Sequence, residues 1–178
     1  IQQYRHLPRY PFMDAVFFTL MSRYFWAICL GVNTLNAVIL WLRSRPYRQQ
    51  NPALTAGYVT LTRGYWIVMM LPWVAMGYGV LVGGVPSIWH FLYPSSGNPY
   101  VLAWWGVYWL TIIFVMQWVL LRGGAEMMAS YPGFLRGNPK NPKHIKLFWL
   151  LMVAGSATFT VVMFNQPAPE FSPVLGAF

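Results

Sequence analysis

Acidic side chains are nearly missing from this chain: Asp14, Glu126 and Glu170 are the only carboxylates, against 12 Lys and Arg. Ion-coupled transporters and pumps place ionisable groups inside their apolar segments, and none of the three carboxylates falls there. Cysteine is down to one residue, Cys29, which leaves no disulfide within the chain and no thiolate cluster for a metal. No helix-spaced pair of metal-binding histidines, phosphate-cradling glycine loop or serine elbow is present. His6, His90 and His144 all lie in arms or loops rather than between apolar segments. These gaps weigh against catalysis and against proton- or ion-coupled transport.

What is present is apolar. Of the 178 residues, 57% are hydrophobic, 19% aromatic and 8% charged, a composition that belongs in a bilayer. From Gly64 to Leu121 there is no Asp, Glu, Lys or Arg. That run is too long for one crossing of about 20 residues and suits two crossings with a turn; Gly83, Gly84, Pro86, Pro94, Gly97 and Pro99 mark the turn. The fold class expected is all-α: a polytopic integral membrane protein with four transmembrane helices arranged as two hairpins. Residues 1–178 read as a single membrane domain. Its parts are a polar N-terminal arm with a short interfacial helix (1–23), helices at 24–42, 64–82, 100–121 and 147–165, and a C-terminal tail (166–178). Pro11 suits the first turn of the interfacial helix and Asp14 its positive pole. One unbroken helix from Phe12 to Leu42 is the alternative. Arg23 interrupts the first apolar run, so no cleavable signal peptide is expected.

The net charge of +9 is concentrated at helix ends, which points to headgroups rather than nucleic acid. Four cations lie between Arg43 and Arg63 and five between Arg122 and Lys146, with none between the second and third spans. Both basic loops are expected in the cytoplasm, facing anionic lipid, and both termini outside. Trp41, Trp66, Trp118 and Trp149 sit two to four residues from Arg43, Arg63, Arg122 and Lys146, four tryptophan-plus-cation anchors at the headgroup level. Glu126 is expected to bridge the basic loops through Arg43, Arg63 or Lys146.

Within the spans, Ala75, Gly79 and Gly83 form a small-residue stripe for close helix approach. Asn33 with Asn36, and Ser156 with Thr160, read as hydrogen-bonding glue between helices or as the lining of a polar path. The ten methionines lack a repeated ligand spacing and read as core filling rather than copper ligands. No cofactor is indicated; His90, set between Trp89 and Phe91, is the one candidate for a ring cofactor such as haem or chlorophyll. The function expected is that of a noncatalytic subunit packing with partner chains or copies of itself in a membrane complex. A small channel or facilitator working as a homo-oligomer is the alternative, and a membrane enzyme or pigment-binding protein a distant third.

Overall fold

A computed structural model describes residues 11–167, and side chains from residue 16 onward. The expected N-terminal arm, the side chain of Asp14 and most of the C-terminal tail, Glu170 included, lie outside the described residues. Among the described residues there are six α-helices: α1 (Pro11–Arg43), α2 (Arg45–Gln50), α3 (Thr55–Leu81), α4 (Pro99–Leu121), α5 (Gly124–Ser130) and α6 (Pro142–Asn165). No strand occurs among the described residues. Helices α1, α3, α4 and α6 are long and apolar enough to cross a bilayer.

Three helical segments begin on the same device. Asn51, Asn98 and Asn141 each precede a proline, and each side-chain oxygen accepts from a backbone N–H of the first turn, Ala53, Tyr100 and Lys143 respectively. Proline at the first helical position gives up a donor that would have been orphaned anyway, and asparagine satisfies one that remains.

The separate interfacial helix expected near the N-terminus does not form. Helix α1 runs unbroken for 33 residues, about 50 Å at 1.5 Å per residue. Nothing after Pro11 breaks it, and Ser22, the polar residue before Arg23, is absorbed by donating to Thr19 O at 3.0 Å. Its antiparallel register with α3 is fixed by Phe25 against Trp73 and by Asn33 Nδ2 donating to Met69 O at 3.2 Å. Carried back, that register sets Arg23 beside the last turns of α3, near a helix end rather than at mid-span. The residues before it continue past α3 and pack on the loop beyond, where Phe18 stacks on Trp89.

Helix α1 packs on α3, α3 on α4 and α4 on α6, which makes an open row rather than a closed bundle. Two apolar clusters hold it. One gathers Met76, Val80, Val85, Phe91, Val101, Trp104 and Trp105 at the end carrying the loop between α3 and α4. The other gathers Leu61, Val119, Ala125, Met128, Phe134 and Ile145 where both basic loops meet. The loops are thus on one end of the molecule, called here the basic end.

Candidate functional site

At the end opposite the basic loops, the loop folds back as two 3-10 turns, Ile88–Leu92 and Pro94–Ser96. Phe91 is fully buried there, and its carbonyl accepts from Trp105 Nε1 at 2.9 Å. His90 sits half-buried beside it, with Nδ1 3.1 Å from Ser87 Oγ. Desolvation pushes the imidazole pKa below its ordinary value, partly opposed by the Ser87 backbone. The neutral ring is the form a metal or haem would need, and with Nδ1 engaged by Ser87 the ligand atom would be Nε2. No group of three or more His, Cys, Asp or Glu comes together among the described residues.

The small-residue stripe is occupied from within the chain. A Cβ on Gly79 would meet Phe91 and Tyr100, and one on Gly83 would meet Tyr100. Gly77, off the stripe and not foreseen, does the same service for Trp26 of α1, where a Cβ would come within 2.6 Å of the indole. Ala75 packs beside this cluster.

The polar pairs sit at two separate seams. Asn33 is buried and bonds α3 as described, while Asn36 beside it is half-buried. Ser156 accepts from Tyr108 OH at 2.9 Å across the α4–α6 seam, and Thr160 donates to Ser156 O of its own helix. Within one chain they do not line a common path, because α1 and α6 flank opposite edges of the row.

Each anchor tryptophan takes a particular place at or near the basic end. Trp41 receives its cation from Arg48, whose guanidinium carbon lies 3.4 Å from the ring centroid, rather than from Arg43. Arg43 instead donates to Leu135 O at 3.4 Å. Trp66 Nε1 donates to Thr34 Oγ1 at 3.2 Å, stitching α3 to α1. Trp118 covers Gly124, and Trp149 packs on the neighbouring apolar cluster. Arg63 and Arg122 are exposed.

Of the three partners expected for Glu126, the structure pairs it with Lys146, Nζ to Oε1 at 2.7 Å. The pair links α5 to α6; the ties from the first helices to the second basic loop are Arg43 to Leu135 O and Tyr58 OH to Pro132 O, 2.6 Å. The Lys146 hydrogen bond, first among its causes, holds the Glu126 carboxyl below its ordinary pKa. A depressed carboxylate stabilises the fold above its ordinary pKa and loses that contribution as pH falls through the lowered value. Glu126→Gln should therefore melt slightly earlier than the parent at about pH 7, with the gap narrowing as pH falls below the ordinary carboxylate range. Equal melting at about pH 7 would leave the pair without thermodynamic weight.

No protein-family model, curated protein or solved structure matches this chain.

Proposed function

We propose that the chain is an integral membrane protein acting as a noncatalytic subunit, packed with partner chains in a larger membrane complex. The observation that carries this reading is the edge helix α6, in which Ile145 is the only buried residue. Exposed leucines would sit well in lipid, but the middle of this exposed helix is Ala154, Gly155, Ala157 and Thr158. Small residues gain little from acyl chains and let a second backbone come close, the way helices associate where no hydrophobic force separates protein from lipid. A Cβ on Gly155 would meet nothing within 4 Å, so the space beside it is open in the single chain.

The test is to extract the protein gently from its membrane and weigh the particle. A stoichiometric foreign chain supports the subunit reading; a closed ring of identical chains supports the channel alternative instead. Gly155→Leu should leave the melting of the isolated chain unchanged while lowering the mass of the particle. An unchanged particle would remove α6 as the contact.

In this reading the basic end faces the cytoplasm and its anionic headgroups, by the charge bias of the loops. In a Cys29→Ala background, Ser96→Cys should react with an impermeant thiol reagent from outside and Asn51→Cys should not; both positions are exposed. Labelling at Asn51→Cys alone would invert the orientation.

A further inference from the structure

The corner between α1 and α2 holds an arginine gripped from one edge. Ser44, only 1% exposed, donates from Oγ to Trp41 O at 2.8 Å and accepts from Arg48 Nε at 3.0 Å. Arg48 Nη2 donates to the same Trp41 carbonyl at 3.0 Å, while the guanidinium lies over the Trp41 ring. A guanidinium carries five N–H donors in a rigid plane. Nε–H and one proton of Nη2 are spent on the corner, which leaves three protons, one on Nη2 and two on Nη1, with the paired Nη1–Nη2 edge open.

Arg48 also lines a cavity of about 470 Å³ with Trp41, Leu42, Arg45, Gln49 and Thr55. Two cations share this space and no carboxylate lines it. The only acid among the described side chains, Glu126, is paired with Lys146. We propose that the cavity binds a phosphate group, taken in a two-pronged contact by the open edge of Arg48 and neutralised further by Arg45. Planar, pre-aimed guanidinium is the residue chemistry that selects phosphate over a simple anion. Gln49 and Thr55 add an amide and a hydroxyl to the lining, and Trp41 with Leu42 supplies an apolar wall. The phosphate has two possible sources, a phospholipid headgroup or free inorganic phosphate, and the apolar wall favours the lipid. Nothing here depends on whether partner chains cover α6.

The test uses the full chain in mild detergent, offered equal amounts of phosphatidic acid and of diacylglycerol, which has the same acyl chains and no phosphate, with retained lipid counted by native mass spectrometry. Loss of a charge-assisted pair should cost on the order of tenfold in affinity, so the parent should keep phosphatidic acid over diacylglycerol by about that factor. Arg48→Gln should abolish the preference, and Arg48→Lys, which keeps the charge without the fork, should restore only part of it. Arg45→Gln, exposed at the corner and outside the Ser44 contacts, should cut the preference several-fold without disturbing the corner, and an unchanged preference would take Arg45 out of the site. A parallel dialysis against labelled inorganic phosphate separates the sources: saturable binding lost in Arg48→Gln, with no lipid preference, assigns the site to free phosphate. Absence of both lipid preference and phosphate binding in the parent overturns the proposal, whatever the particle mass proves to be.

Discussion

Trp105→Ala should destabilise the folded chain by about 3 kcal/mol or more, the usual cost of truncating a buried tryptophan. Trp105 is 2% exposed and joins three parts of the structure. Its indole N–H holds the Phe91 carbonyl of the returning loop. Its ring packs against Trp104 and Tyr108 of its own helix and against Phe159 and Phe164 of α6, with centroids 5.2 to 5.8 Å away. Truncation would leave a cavity and strand a buried carbonyl in one step. Trp105→Phe separates the two effects in part, since it keeps one ring and deletes the donor, at about 1–3 kcal/mol for the unsatisfied group plus the smaller void left by the second ring of the indole. Thermal melting in detergent reads both; an alanine variant that melts with the parent would mean that α6 and the loop are not held through this residue.

The second large effect is expected at Gly79. A Cβ there would stand 2.8 Å from Phe91 Cζ and 3.2 Å from Cε1. The phenyl ring has nowhere to retreat, being fully buried with Trp104 packed edge-on at 5.7 Å. Gly79→Leu must therefore push the loop off α3, for about 1–3 kcal/mol of overpacking strain. Both substitutions act through Phe91, so the double variant should lose less than the sum of the singles, as residues with a shared partner do. Strict additivity would show that the glycine and the tryptophan support different structures.

Hydropathy located the four long helices correctly but not their ends. The expected starts at Gly64 and Leu147 mark where charge gives out, whereas the helices start at Thr55 and Pro142. A helix is delimited by its capping chemistry, and the Asn–Pro pairs at 51–52 and 141–142 carried that signal in plain view. Short α5 has no apolar run to announce it. Gly79 and Gly83 were legible as places of close approach, but not what approaches them. Phe91 and Tyr100 arrive only because the loop folds back, and an uncharged stretch rich in proline and glycine does not specify its return path. The partner of Trp41 was missed for a related reason: Arg43 is nearer in sequence, but the turn at Ser44 brings Arg48 over the ring.

The open row has a consequence for how the molecule can be made. Each long helix rests on the one that precedes it in the chain, α3 on α1, α4 on α3 and α6 on α4, so each surface is ready by the time the segment that needs it has been synthesised. Neighbouring contacts of this kind close small loops and carry a low entropic cost of search. The exceptions include the long-range ties at the basic end, Tyr58 to Pro132 and Arg43 to Leu135, which span 74 and 92 residues. These must wait until α4 and the second basic loop have emerged, and the opposite end waits longer still, until the end of α6 brings Phe164 to Trp105 and Gln166 O to Ser95 Oγ at 2.7 Å.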